Sequence, residues 1–169
     1  MPAQGTTDSY ALEMLSTVLS GGQSARLYKS LVDEQQKALE VAAIPFSSED
    51  PGLYLLFGLP TIGGDLKELE AAMEAEIKKI QEELISDKEF EKIRNQKEND
   101  FISGNSRMAG IAESLANYHV YYGDANLINK EIDRFMNVTK EDIKRVANEY
   151  LTKDNRVVLY YLPKPQQNQ

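Results

Sequence analysis

The sequence predicts an α+β domain in which helices pack on one face of a small antiparallel sheet. Two apolar runs, 38–46 and 53–59, are joined by a cluster of Ser, Asp, Pro and Gly, which is the pattern of a β-hairpin. A third run, 156–162, has high β propensity. The other long stretches place apolar residues at three- and four-residue spacing, which indicates amphipathic helices. Strands and helices in this order favour a layered α+β fold, and no repeat of 20 to 50 residues suggests a solenoid.

The first part of the chain reads helix, glycine pair, helix, strand. Thr6 or Asp8 is suited to cap a first helix, which we expect to end at the glycine pair that begins at Gly21. Ser24 offers a cap for a second, short helix over about 25–35. Pro45 lies within the first apolar run, so we expect that strand at an edge or a bulge.

The part that follows the predicted hairpin is helical. The strongest period runs from Leu66 to Leu84 through an otherwise charged stretch, whose glutamates we expect on the solvated side. Ser86 with Glu89 forms a capping-box pattern, Gly123 ends a helix that begins near Met108, and Thr139 belongs to a second capping box. Between them, 127–135 predicts one short helix. Residues 1–162 form a single predicted domain, followed by a polar tail or linker start at 163–169.

A sheet of only three strands raises a difficulty, because it covers many helices poorly and leaves an apolar edge open. We therefore expect the open edge either to be shielded by the N-terminal segment or to pair with another copy of the chain.

Composition excludes several classes of function. The 169 residues suffice for one domain with a core, and a formal net charge of −8 disfavours binding to a phosphate backbone, so nucleic acid is not an expected partner. There is no cysteine, which excludes disulfides and thiolate chemistry. No apolar run approaches the length of a membrane span, and the first residues do not resemble a leader.

Catalytic patterns are not found in the sequence. The single histidine, His119, has no partner ligand and is expected to be structural or on the surface. Glu40 could pair with Glu49 or Asp50 for acid-base catalysis, but nothing in their spacing indicates such a pair. Gly21 to Ser24, with Arg26, lies before a helix and is compatible with anion binding, but the segment lacks the phosphate-loop Lys, which favours a role as a helix break.

Several segments together resemble the non-catalytic, C-terminal-type domains of M16 (insulinase/pitrilysin-like) zinc metallopeptidases. The family pattern GG-x-S-S-R-L-(F/Y)-x-x-L is matched by Gly21, Gly22, Ser24, Arg26, Leu27, Tyr28 and Leu31. Residues 8–15, 93–97, 138–147 and 157–163 resemble four further family segments in the same order. The resemblance implies a processing-peptidase-like (LuxS-like) metallohydrolase fold, of which this chain is expected to be a fragment without the N-terminal strands.

The resemblance also locates a departure from the family. In M16 proteins the zinc motif lies in the first domain, and the opposite half supplies an Arg and a Tyr, seven residues apart, that contact substrate. Those positions correspond here to Val32 and Leu39, neither of which can donate a side-chain hydrogen bond. Two interpretations remain open: the second domain of the zinc-bearing half, which we favour, or a degenerate, scaffold-like homologue.

The resemblance leads to the following functional hypotheses. The leading one is a catalytically inert domain that forms part of the chamber wall of a peptide-hydrolysing zinc enzyme. Zinc is then expected in another domain. The expected partners are the other domains of the parent, peptide substrate and, through an open sheet edge, a second copy of the chain. The alternatives are a non-enzymatic scaffold of the same fold and a helical adaptor with no family link. Exported relatives suggest the periplasm, with the cytoplasm left open.

Overall fold

The computed structural model describes residues 1–162, so the predicted tail 163–169 lies outside the described residues. Six α-helices and two strands form its regular elements. The strands are β1 (Ala38–Phe46) and β2 (Leu53–Pro60), and short 3₁₀-helices cover Ala125–Asn129 and Lys153–Asn155. A π-helix, Tyr28–Glu34, precedes β1. The α-helices are α1 (Thr7–Ser20), α2 (Leu66–Glu82), α3 (Asp87–Gly104), α4 (Met108–Tyr122), α5 (Glu131–Met136) and α6 (Lys140–Tyr150).

The predicted hairpin is confirmed. β1 and β2 pair antiparallel, with Val41 opposite Gly58 and Phe46 opposite Leu53, and the register shifts by one residue between Ala38 and Glu40. That shift makes Leu39 the extra residue of a β-bulge, and Pro45 lies in a strand that has a ladder on one side only. Its missing N–H is therefore tolerated, as expected.

Helix α1 is the centre of the core. Nine of its residues are buried, and α1 packs against β1, α3, α5 and α6. Because it is enclosed on several sides, polar positions such as Ser9 and Thr17 are buried together with its leucines. The helices thus lie against one face of the hairpin, which is the predicted α+β arrangement of helices and antiparallel sheet. No helix within residues 1–162 is both long and apolar enough to cross a membrane.

Two serines of α1 cover part of the free edge of β1. The Ser20 hydroxyl accepts a hydrogen bond from the backbone N–H of Ala43 at 2.8 Å, and the Ser16 hydroxyl donates to the Ala43 carbonyl at 2.5 Å. In an antiparallel pair such groups point away from the partner strand, so these serines satisfy an edge position of β1. Within residues 1–162, no hydrogen bond outside the hairpin ladder reaches Leu53–Leu59 of β2.

The N-terminal segment binds the hairpin connection and does not shield a strand edge. The backbone groups of Met1 and Gly52 exchange two hydrogen bonds of 2.8 and 3.0 Å, and the Gln4 N–H donates to the Ser48 carbonyl. The expectation that this segment shields the open edge is therefore wrong, because its bonds go to the loop between the strands.

The predicted third strand is not formed. Arg156–Leu162 has no ladder partner among the described residues and most of its side chains are exposed. The run is instead fixed to α2, because Arg156 binds Glu70 and Glu74 and the Tyr160 hydroxyl donates to Glu70. High β propensity describes how well side chains suit a pleated sheet, and it does not supply the neighbouring strand on which a strand depends.

Three further local predictions are corrected. Ser24 caps no helix: the turn here is closed by the backbone bond from Ala25 to Gly22, and the Ser24 hydroxyl faces Lys92. The expected helix 127–135 is divided at Lys130 into a 3₁₀-helix and α5. In α2, Glu76 was expected in solvent but is 4% exposed.

Helix α4 forms where expected and ends at Gly123, whose φ of +69° suits glycine. None of its residues is buried, however, and Ile111 and Leu115 are more than a third exposed, so its apolar face is only partly covered by the described residues. The capping box at Thr139 and Asp142 is present, and it begins α6.

Candidate functional site

The outward surface of the hairpin is apolar and unpartnered. Cross-strand pairs such as Ile44 with Leu55 and Ala42 with Phe57 lie on this face. Its side chains range from half-buried to exposed, with Leu53 at 74% and Phe46 at 53% exposure. We call this surface the outer sheet face; its apolar members are Ala42, Ile44, Phe46, Leu53, Leu55, Phe57 and Leu59, and Glu40, opposite Leu59, places a charge at its end.

The two faces of the hairpin differ because side chains alternate along a strand. The inner face carries Val41, Ala43 and Leu56, which pack on the core. There Gly58 approaches α2 closely: a Cβ at this position would lie 3.0 Å from the sulfur of Met73. Both faces are therefore apolar, although helices cover only one of them.

A surface of this size indicates an interaction site. Six of its side chains are each more than a third exposed, and contiguous exposed apolar side chains of this kind mark interaction sites on proteins. Apolar side chains on both faces are typical of strands that are covered on both sides. We therefore take the outer sheet face as the candidate functional site.

The glycine and arginine positions of the motif have structural roles in the fold. Gly21 ends α1, with its N–H donating to the Thr17 carbonyl, and Gly22 has a φ of +101° that favours glycine. Arg26 donates two hydrogen bonds of 2.8 Å to Glu89, and Leu27 is fully buried. Ser24 is exposed. This segment therefore joins α1 to α3, and it lies on the helical side of the molecule.

The structure separates Val32 from Leu39. Val32, in the π-helix, is partly buried and packs against the core, whereas Leu39 is the bulge residue of β1 and is 55% exposed. Neither side chain has a hydrogen-bonding atom. The exposed Leu39 adds apolar surface to the hairpin. It can contact a ligand only through apolar atoms.

The donor set of the chain does not fit a zinc site. His119 is exposed near the end of α4, and within residues 1–162 no group of three or more His, Asp or Glu side chains is arranged to hold a metal ion. Zinc sites need three or four converging ligands. No chemical step is therefore assigned to a metal held by this chain.

A buried polar group was missed by sequence reasoning. The Tyr10 hydroxyl donates to Glu131 at 2.6 Å and accepts from Arg134 at 3.0 Å, and Glu131 is 7% exposed. Burial, together with the hydrogen bond to Glu131, raises the pKa of Tyr10, so that its hydroxyl stays protonated. Because 121 residues separate Tyr10 from Glu131, no local pattern indicates this pair.

A second polar contact joins the beginning of α1 to α6. Asp8 accepts from Arg145 at 2.6 Å and from the Tyr150 hydroxyl at 2.9 Å. The hydrogen bond from Arg145 is the main reason that the pKa of Asp8 lies below its ordinary value. The contacts of Tyr10 and of Asp8 both join α1 to later helices, and neither lies on the outer sheet face.

The buried Glu76 could have been found from spacing. It falls on the same stripe of α2 as Leu69 and Ile80, at three- and four-residue intervals. In the structure its carboxylate accepts from the Ser30 hydroxyl and from Lys79, both at 2.7 Å. These two partners offset the cost of removing the Glu76 carboxylate from water.

Comparison with known proteins agrees with this description. The family model described as the Peptidase M16 inactive domain matches residues 1–97. Zinc protease PqqE of Helicobacter pylori is 27% identical over 165 residues, which cover 96% of this chain and 36% of that protein. The uncharacterized zinc protease YmxG of Bacillus subtilis is 23% identical over 154 residues, 89% of this chain and 36% of that protein. The chain thus spans about a third of the length of these curated relatives.

Solved structures share the fold. A protease from Helicobacter pylori superposes with a TM-score of 0.84 at 26% identity, over 92% of this chain and 37% of that one. The inactive peptidase domain of an inferred zinc protease from Bordetella parapertussis gives a TM-score of 0.87 at 24% identity, over 100% of this chain and 89% of that one. Since the family model covers more than half of the sequence and the fold agrees with it, this chain belongs to the family of M16 peptidase inactive domains.

Proposed function

We propose that this chain is a catalytically inert domain of a zinc metalloendopeptidase, and that its outer sheet face forms part of the wall of the chamber in which the parent protein hydrolyses peptides. The observation that carries the proposal is the unpartnered apolar face of the hairpin in an M16 inactive domain. Extended peptides make favourable contacts with such a surface because it removes apolar area from water. The zinc and the hydrolytic chemistry belong to another domain of the parent.

Residues 1–162 are proposed to act as one unit of that parent. The position of Val32 and Leu39 favours the second domain of the zinc-bearing half, where donors to substrate are not needed. In this role the motif residues Gly21, Gly22, Ser24, Arg26 and Leu27 serve the fold: they fix the junction of α1 and α3 behind the sheet.

Peptide hydrolysis and bound zinc, measured on this chain and on the full-length gene product, test the proposal. We expect zinc and chelator-sensitive hydrolysis in the full-length protein and neither in this chain. Within the full-length protein, Leu55→Glu on the outer sheet face should lower kcat/KM for peptides without changing zinc content. Ala75→Glu, exposed on α2, adds the same charge elsewhere and serves as the matched control.

Hydrolysis that is equally affected by Leu55→Glu and Ala75→Glu would contradict the chamber-wall role. Failure to find zinc or hydrolysis in the full-length protein would instead support the second candidate, a non-enzymatic scaffold of the same fold. The apolar pair at Val32 and Leu39, which cannot donate hydrogen bonds to a substrate, fits this alternative as well.

The free edge of β2 gives a further proposal about partners. Exposed N–H and C=O groups along an edge strand pair readily with a strand from another chain. We propose that β2 supports self-association when no other polypeptide covers it. Sedimentation of this chain should show a concentration-dependent dimer, and Leu55→Lys, which places a charge beside the free edge, should abolish it. A monomer at all concentrations would exclude this edge as a dimer contact.

A further inference from the structure

A cleft on the helical side, away from the outer sheet face, gathers basic side chains. It has a volume of about 630 Å³ and lies between the π-helix, the second half of α2 and the first turns of α3. Its walls include Ser24, Ser30 and Ser86. We call it the lysine cleft, after Lys29, Lys79, Lys88 and Lys92, which line it together with Arg26.

The sign of the charge in the lysine cleft is opposite to that of the whole chain. Five basic residues line it against three glutamates, Glu34, Glu76 and Glu89, an excess of two positive charges. The chain as a whole carries a net charge of −8. A cleft with an excess of positive charge attracts ligands of negative charge.

Some of these charges are already engaged in the fold. Arg26 binds Glu89 through both of its hydrogen bonds, and Lys79 donates to the buried Glu76. These pairs anchor the floor and walls of the cleft and leave little capacity for a ligand.

Three lysines remain available. Within residues 1–162, Lys88 and Lys92 form no ion pair, and the Lys92 ammonium donates only to the neutral Ser24 hydroxyl at 2.7 Å. Lys29 lies 4.0 Å from Glu34, and both side chains are more than 60% exposed, so this contact is weak. Lys88 and Lys92 are four residues apart on α3 and therefore project from the same side of the helix.

The arrangement distinguishes between two kinds of anion. A compact phosphate cluster is best held by converging arginine forks or backbone N–H groups, but the guanidinium here is occupied by Glu89. A dense polyanion in the cleft would also approach Glu34, Glu76 and Glu89. A peptide with spaced carboxylates can instead place each charge beside a separate lysine.

We propose that the lysine cleft is a docking site for an acidic segment of a partner polypeptide, with Lys29, Lys88 and Lys92 pairing with successive Asp or Glu side chains. The volume of the cleft accommodates a few residues of peptide, as binding pockets of this size do. The Ser24 and Ser86 hydroxyls offer hydrogen bonds at its rim. This site is independent of the proposed peptidase role, since it lies on the opposite, helical side of the hairpin.

Binding of a fluorescently labelled Asp/Glu-rich dodecapeptide to this chain tests the proposal, with anisotropy read at low and at physiological salt. The same peptide with Asn and Gln in place of the acids is the neutral probe. Lys88→Glu combined with Lys92→Glu should weaken binding at least tenfold, and the neutral peptide should not bind. Lys67→Glu with Lys130→Glu is the matched control, because both lysines are exposed and form no ion pair in the described part of the chain.

The test variants are expected to fold. Acidic residues are favourable in the first turn of a helix, where Lys88 lies, and circular dichroism with a thermal melt verifies this. Lys29→Glu alone supplies a third variant on another element, with a smaller loss expected. Equal losses in both double variants would mean a general charge effect and overturn the site. Absence of peptide binding, or tighter binding of inorganic triphosphate than of the acidic peptide, would overturn it as well.

Discussion

Arg26 and Glu89 form a two-pronged ion pair that joins the segment after α1 to the first turn of α3. Both hydrogen bonds measure 2.8 Å, and each side chain is 23% exposed. Glu89 also has its N–H bonded to the Ser86 hydroxyl, so the expected capping box is only half formed. The Glu89 carboxylate, which would complete the box, binds Arg26 instead. A residue that the sequence places in a local capping pattern therefore forms a long-range contact.

Replacement of Arg26 by Lys should lower the free energy of unfolding by about 1–2 kcal/mol, because a lysine keeps the charge but cannot form both bonds at once. Urea denaturation followed by circular dichroism measures the change. Arg107→Lys is the control, since Arg107 is exposed and begins α4 without a side-chain bond. Equal stability of Arg26→Lys and the unchanged protein would show that the fork contributes nothing beyond charge.

Asp8→Asn should destabilise the protein at neutral pH but not in acid. Arg145 lowers the pKa of Asp8 in the folded state, so the stabilisation is complete above the ordinary pKa of 3.8 and is lost as the pH falls through the lower folded value. Because Arg145 is 44% exposed, we expect a loss of about 1 kcal/mol at pH 7.

Unfolding by urea at pH 7 and at pH 2.5 separates the two states of Asp8. The difference between Asp8→Asn and the unchanged protein should shrink as the pH falls. Asp100→Asn, at an exposed position of α3 without an ion pair in residues 1–162, should show little difference at either pH. A loss that is constant with pH would assign the effect of Asp8→Asn to packing instead of charge.

Two glycine substitutions should act in opposite directions. Gly22 has a φ of +101°, so Gly22→Ala should cost about 1 kcal/mol through backbone strain. Gly104 is helical, and a Cβ there meets no atom within 4 Å, so Gly104→Ala should stabilise by about 0.5 kcal/mol. Thermal unfolding of both variants measures the signs. A stabilising Gly22→Ala would contradict the left-handed conformation at the motif.

Tyr10 and Glu131 should be coupled energetically. Tyr10→Phe leaves one oxygen of a buried carboxylate without its donor, and we expect a loss of about 2 kcal/mol. A double-mutant cycle with Glu131→Gln should give a coupling free energy of about 1–3 kcal/mol. Tyr121→Phe, on the exposed side of α4, is the control for removal of a hydroxyl. Additive losses would mean that the 2.6 Å contact has no energetic weight.

Local chemistry explains why the sequence predicted certain elements correctly. The hairpin follows from its two apolar runs and the turn residues between them, α2 from a long three-and-four period, and α6 from the capping box at Thr139. The end of α4 follows from Gly123. Each signal lies within a few residues of the element that it specifies, so the sequence alone carries it. The family motif around Gly21 and Arg26 is equally local.

The tertiary structure decided which of these elements are covered. Arg156–Leu162 has the composition of a strand, yet it forms none because no described strand lies beside it. Glu76 is a charged residue of a type that is usually solvated, yet it is buried against the π-helix. Pairing of Tyr10 with Glu131 and of Ser16 with Ala43 depends on segments that only the folded chain brings together.

The sequence by itself therefore determined the long helices, the hairpin and the resemblance to M16 inactive domains, since caps, turns and periodicity act over short stretches. Only the tertiary structure decided that the hairpin presents one apolar face to solvent and that lysines from three helical elements meet in one cleft. The physical reason is that burial and charge clustering depend on the distances between segments far apart in the chain.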